Sequence, residues 1–141
     1  MTANLRPLFQ RIDHVGVVVS DLKEARRWLK EVFGLPFHGS IEVPEGQIRG
    51  ELYGCGDVDI EVIEVGEPEM RRRRLGNDKR ARVEHIAVVV DDLNASLARL
   101  ATLGVRTTTS EPLRDGNSLT VWTVEETTGG VSYQLIQRNA Q

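Results

Sequence analysis

Two histidines and two long polar side chains stand at matching places in a sequence that repeats itself, and together they could hold a metal ion. One copy of the repeat runs Arg11-Ile12-Asp13-His14-Val15-Gly16-Val17-Val18-Val19-Ser20-Asp21-Leu22. The other runs Arg82-Val83-Glu84-His85-Ile86-Ala87-Val88-Val89-Val90-Asp91-Asp92-Leu93. The offset is 85 − 14 = 71 residues, so His14 and His85 occupy equivalent positions of two half-domains. A second alignment, Asp59-Ile60-Glu61-Val62-Ile63 with Ser132-Tyr133-Gln134-Leu135-Ile136, makes Glu61 and Gln134 equivalent as well. Two imidazoles, a carboxylate and an amide oxygen form an N₂O₂ set suited to a borderline divalent ion, with water or substrate in the remaining positions. The competing reading is structural: a lone histidine in an apolar strand is more often a satisfied core residue, and duplication copies such a residue equally well. Glu61 tips the balance, because a carboxylate between apolar neighbours is costly to bury without a partner.

The elements that must carry these groups follow from local pattern. Ile12–Val19 and Val83–Val90 are β-branched runs that predict strands, the first followed by Ser20 and Asp21, which can cap a helix. Leu22, Ala25, Leu29 and Val32 recur at helical spacing until Gly34-Leu35-Pro36; Leu93, Leu97, Leu100 and Ala101 do so until Gly104. Further strands are expected near 37–42, 48–53, 58–65, 105–109, 119–124 and 131–137, with turns at Pro44-Glu45-Gly46, Gly54-Cys55-Gly56-Asp57 and Asp115-Gly116-Asn117. Each half then reads βαβββ: module one over 11–66, a linker over 67–81 and module two over 82–138, in one domain spanning 1–141. The leading strands are apolar on both faces. Ile12, Gly16 and Val18 share the His14 face, while Val15, Val17 and Val19 take the other, so both faces should be covered.

Bulk properties bound the function. With 141 residues the chain can bury a substantial core, and its 40% hydrophobic and 28% charged composition is that of a globular domain. A net charge of −3 gives no reason to expect nucleic acid as a partner. The single cysteine, Cys55, excludes an internal disulfide and suits a reducing compartment. No signal-peptide core or bilayer-length apolar run is visible, so the expected location is cytoplasmic, with no membrane partner.

The repeated βαβββ pattern, with candidate ligands on the first and last strand of each half, resembles the vicinal oxygen chelate superfamily. This family includes glyoxalase I, extradiol dioxygenases, fosfomycin and bleomycin resistance proteins and methylmalonyl-CoA epimerase. The likeness covers Arg11 to Gln137 and is nearest to the epimerase pattern at Ile12-Asp13-His14-Val15, Pro44-Glu45-Gly46, Ile60-Glu61-Val62, His85-Ile86, Val90-Asp91-Asp92-Leu93 and Thr128-Gly129-Gly130-Val131. It implies an α+β fold in which two tandem modules form a pseudo-twofold, partly closed eight-stranded sheet around a central metal and substrate cavity. It implies metal ligands His14, Glu61, His85 and Gln134, a divalent ion (cobalt, manganese, nickel or zinc), and a homodimer. The implied chemistry is isomerase or epimerase chemistry: removal of a proton beside a metal-polarised carbonyl of a small substrate, such as an acyl-CoA thioester. Gln134 departs from the glutamate usual at the last position and cannot accept a proton, which shifts that role to Glu61. A non-catalytic drug-binding protein of the same fold is the alternative, with extradiol dioxygenase chemistry a more distant one.

Other residues have two readings each. Glu51, sharing a strand face with Arg49 and Tyr53, is a second candidate base if that face meets the cavity, and a solvated residue if it does not. Glu45, in a turn, is a weaker one. Arg49, Tyr53 and Trp122 are expected to line the substrate pocket. Arg71–Arg74 could bind the phosphates of an acidic ligand or form a solvated helix face balanced by Glu67 and Glu69. Trp28 could mark a subunit contact. His38 reads as a surface residue, and Cys55 has no partner suggesting a nucleophile.

Overall fold

The structure, a computed structural model, describes residues 6–139. In chain order the elements are β1 (Arg11–Val19), α1 (Leu22–Arg26) continuing as π-type turns over Arg27–Val32, β2 (Phe37–Val43), β3 (Ile48–Cys55), β4 (Val58–Val65), α2 (Pro68–Leu75), β5 (Ala81–Val89), α3 (Leu93–Thr102), β6 (Leu113–Asp115), β7 (Ser118–Trp122) and β8 (Ser132–Gln137), with a short 3-10 turn at Glu125–Thr127. The expected α+β fold of paired βαβββ modules is present. Among the described residues the strands form one eight-stranded mixed sheet ordered β2-β3-β4-β1-β5-β8-β7-β6. The chain forms two compact units, one from His14 to His85 and one from the segments on either side of it.

In the His14–His85 unit, β1 runs parallel to β4, which pairs antiparallel with β3, and β3 with β2. Period-2 alternation sorts the strand residues onto two apolar clusters, as the two-faced apolar pattern predicts. One gathers Val19, Leu22, Tyr53 and Val62 with Val17, Ala25, Leu29, Leu35 and Ile60, so α1 covers the Val17/Val19 face. The other joins Val18, Ile63, Val65 and Leu75 with Ile48 and Met70, so α2 covers part of the His14 face. Asp21 caps α1, its carboxylate accepting from the amides of Lys23 and Glu24. The helix then widens: the Phe33 amide bonds the Trp28 carbonyl five residues back, which turns Val32 out to solvent despite its place in the apolar spacing.

In the other unit, β8 pairs with β7 and β7 with β6. Val88, Val90, Leu93, Val121 and Leu135 form its core, with Ile86, Leu97, Leu100 and Leu119 packed against them, and α3 supplies three of these residues. A side chain from the last strand of each module receives the first amide of its helix: Leu22 N–H donates to Glu64 Oε1 (3.1 Å), and Leu93 N–H to Gln137 Oε1 (2.8 Å).

Two expectations need correction. Residues 105–109 do not form a strand; only Thr107 makes a bridge, to Thr123, and the hairpin strand is Leu113–Asp115. β-branched density misleads here because the Asp115-Gly116 turn, with Gly116 at φ 58°, fixes which residues can pair. The segment 67–81 is also more than a linker. Glu67 accepts from the amides of Glu69 and Met70, Pro68 opens the first turn, and Leu75 buries itself at the far end of α2. Replacing Leu75 with alanine removes the anchor of α2 and is expected to cost about 2–5 kcal/mol, measured by urea denaturation.

Candidate metal centre

His14, Glu61 and His85 meet inside the His14–His85 unit. The β1–β4 register places Gly16 beside Glu61 and His14 beside Asp59, so His14, Gly16 and Glu61 share one sheet face. All three polar residues are buried. Glu61 Oε1 lies 3.6 Å from His14 Nε2 and 3.4 Å from His85 Nε2, and the two Nε2 atoms are 3.4 Å apart. The imidazole planes are nearly perpendicular, at 87°.

Gly16 makes this convergence possible. The His85 ring lies over the glycine so closely that a Cβ there would sit 1.9 Å from its Cε1. A glycine inside a strand commonly marks such an approach. The other ring nitrogen, His85 Nδ1, is 3.0 Å from Glu84 Oε1. Glu84 in turn takes a two-pronged bond from Arg74 at the end of α2 (Nε–Oε2 2.8 Å, Nη2–Oε1 2.7 Å), and Arg82 donates to the Arg74 carbonyl (2.9 Å). Burial alone would raise the Glu84 carboxyl, but the bonds from Arg74 and His85 outweigh it and hold the pKa at about 2. Glu84 is therefore ionised throughout the working pH range and fixes the ring through Nδ1, leaving Nε2 turned toward Glu61 and His14. Burial disfavours the His85 imidazolium, while Glu61 and Glu84 favour it more strongly and raise its pKa.

The donor set fits a divalent ion. For metal–ligand bonds of about 2.1 Å, ligand atoms stand about 3.4 Å apart in a tetrahedron and about 3.0 Å apart on an octahedral edge. The observed separations of 3.4–3.6 Å match the wider case. A carboxylate on the far nitrogen of a ligating histidine, as Glu84 is here, is the usual companion of such sites.

Gln134 is on β8 in the other unit, where its amide donates to Thr120 Oγ1 (3.0 Å), and Trp122 stands opposite it on β7. Glu51, Arg49 and Tyr53 occupy the sheet face opposite to Glu61, since β3 pairs Leu52 with Glu61 and Glu51 with Val62. That register puts them on the face that α1 covers, opposite to the one that carries Glu61. Arg26 of α1 grips the Glu51 carboxylate (2.6–3.2 Å), and the buried Tyr53 hydroxyl donates to it (2.6 Å). The Arg26 bond lowers the Glu51 pKa, against the effect of burial, and the Tyr53 bond adds to the lowering. Burial and the Glu51 bond push Tyr53 up to about 12. Arg49 pairs with Glu64 (2.6 Å).

The arginine run divides. Arg71 donates to the carbonyls of Val65 and Ser20, Arg74 serves Glu84, and Arg72 pairs with Glu69 at the surface. Sequence reasoning missed Gly16, Glu84 and Arg74. A signal for the first two was present: the repeat carries an acidic residue before each histidine, and Gly16 stands where the second copy has Ala87.

The family follows from comparison. The model of the Glyoxalase/Bleomycin resistance protein/Dioxygenase superfamily matches residues 13–122. The chain belongs to this superfamily. It is 26% identical over 128 residues to the uncharacterized protein YqjC of Bacillus subtilis, covering 90% of this chain and 91% of that protein. It is 24% identical over 102 residues to human mitochondrial methylmalonyl-CoA epimerase, a match that takes in 72% of this chain and 58% of the epimerase. The structure of Streptomyces coelicolor methylmalonyl-CoA epimerase in complex with 2-nitronate-propionyl-CoA superposes with a TM-score of 0.79 at 23% identity, over 94% of this chain and 99% of that one. At that identity the superposition shows the fold.

The Arg26–Glu51 bond gives a stability that depends on pH. The Glu51 carboxyl lies below its usual 4.5 when folded, so the contribution is fully present above that value and is lost as pH falls through the folded value. Arg26→Met is expected to cost about 1 kcal/mol at pH 7, a modest figure for a guanidinium in partial contact with solvent. The difference in Tm between the two proteins should shrink as pH falls below 4.5, read by circular dichroism.

Proposed function

We propose that this protein is a divalent-metal-dependent isomerase or epimerase of the methylmalonyl-CoA epimerase or glyoxalase type, removing a proton beside a carbonyl of a small substrate such as an acyl-CoA thioester. The observation that carries the reading is the buried convergence of His14, Glu61 and His85, with His85 oriented by Glu84. His14, Glu61 and His85 would hold the ion, and Gln134 is proposed as the fourth ligand. An ion such as cobalt, manganese, nickel or zinc supplies a Lewis acid for negative charge developing on a carbonyl oxygen.

Glu61 is the proposed proton acceptor. The Gln134 amide has no proton-accepting chemistry. Glu84 is held ionised by Arg74, and Glu51 is engaged on the opposite face. Water is kept from the Glu61 carboxylate by its burial beside the two imidazoles, which strengthens its electrostatic interactions. A homodimer is part of this proposal, with the exposed Trp28 and Phe33 rings (centroids 6.0 Å apart) as the apolar surface.

Metal-loaded protein incubated with methylmalonyl-CoA in deuterated water should exchange the α-proton, followed by mass spectrometry, and should stop when chelated. Absence of exchange by the metal-loaded protein overturns the reading. Glu61→Gln should lower exchange by about 10²-fold or more at matched metal content. Gly16→Ala and Glu84→Gln should each weaken cobalt or zinc binding, by about 10–100-fold for the latter, measured calorimetrically.

A second reading, a binding protein that sequesters a small molecule, is favoured by one observation: Glu51 stands on the sheet face opposite to Glu61. Stoichiometric metal without any exchange chemistry on carbonyl substrates would support it.

A further inference from the structure

His38, which the sequence suggests is a surface residue, is built into the same sheet face as the candidate metal centre. The β2–β3 pairing slips between Phe37, opposite Tyr53, and Gly39, opposite Leu52, so His38 is the extra residue of a β-bulge. Bulges re-aim side chains and are common beside active sites. Gly39 at φ 139° supplies the backbone conformation, one that other residues adopt only with strain. The turned ring lies over Gly54, where a Cβ would stand 2.2 Å from His38 Cε1. Its Nδ1 is 2.7 Å from Asp59 Oδ1. Asp59 is in register with His14 and two residues before Glu61, on their face of the sheet.

The construction matches that of His85: ring over a glycine and Nδ1 against a carboxylate. His85 is fully buried, whereas the His38 side chain is 45% exposed and so can be reached on that face. Gly54 pairs with Asp59, so the ring stands one strand and two residues from Glu61. That separation is about 8 Å, from strand spacings of ~4.8 Å and a two-residue rise of ~6.7 Å. It suits a group farther along the substrate.

We propose that His38 is a substrate-contacting residue that sets specificity, with Asp59 as its positioning residue, and that Nε2 hydrogen-bonds the first amide beyond the sulfur of an acyl thioester whose carbonyl end lies at Glu61. This rests on the acyl thioester reading above. The test compares two methylmalonyl thioesters in the deuterium-exchange assay: the N-acetylcysteamine ester, which carries that amide, and the S-propyl ester, which lacks it. His38→Ala should lower kcat/KM for the first about 5–10-fold more than for the second, as expected for one lost hydrogen bond. Asp59→Asn should give a smaller loss of the same sign, expressed in KM rather than kcat. Equal losses on both esters, or none on either, overturn the proposal, since a structural role would not distinguish the amide. Metal content equal to wild type in both variants supports it by placing the loss outside the metal centre. Wild-type protein that exchanges neither ester overturns the functional reading and this inference together, whereas wild-type exchange with an indifferent His38→Ala overturns the inference alone.

Discussion

The candidate centre depends on one close approach, the His85 ring lying against the backbone of β1 at Gly16. A residue with a Cβ at that point would collide with the imidazole. Once the ring is seated there, the remaining geometry follows. Nε2 faces His14 and Glu61, and Nδ1 faces Glu84, whose charge is kept by the Arg74 guanidinium. Arg74 is placed in turn by α2, which is held by the burial of Leu75 against Val18, Ile63 and Val65. A chain of ordinary packing therefore ends at the orientation of a single imidazole. Each member matters because buried charges are tolerated only when their partners are fixed.

The second constraint is the alternation of the strands. Neighbouring residues on β3 and β4 point to opposite faces, and a one-residue difference decides whether a carboxylate meets the histidines or a helix. Glu61 falls on the histidine side. Glu51 falls on the side covered by α1, where Arg26 and Tyr53 occupy its oxygens. The two glutamates are thus chemically distinct although both are buried: one stands among donors suited to a metal ion, and the other completes a structural network around Tyr53. The same logic separates the arginines of α2, since only Arg74 reaches the carboxylate behind His85 while Arg71 ties down main-chain carbonyls.

Membership of the superfamily agrees with this layout without dictating the reaction, because one fold supports several chemistries. The polar groups of this chain have a definite distribution. The carboxylate among the candidate ligands is in module one, the amide at the matching position is in module two, and two histidines are seated over glycines with carboxylates on Nδ1. None of the described helices is long and apolar enough to cross a membrane.

Much of this was legible in the residues alone. The repeat gave the paired modules, the two-faced apolar strands and the equivalence of His14 with His85, because duplication and period-2 patterning are properties of order along the chain. The Asp21 cap, helical apolar spacing and glycine stops likewise located α1 and α3. Which segment of 105–115 pairs, and which face of β3 carries Glu51, depend on register, and register is set by turns and partner strands far away in sequence. The roles of Gly16, Glu84 and Arg74 depended on it most. A glycine's importance lies in the ring that approaches it from 69 residues away (85 − 16), and a carboxylate's charge state lies in the guanidinium that tertiary packing brings to it. Local sequence fixes which chemical groups are available; only the fold decides which of them face one another in the low-dielectric interior where their chemistry changes.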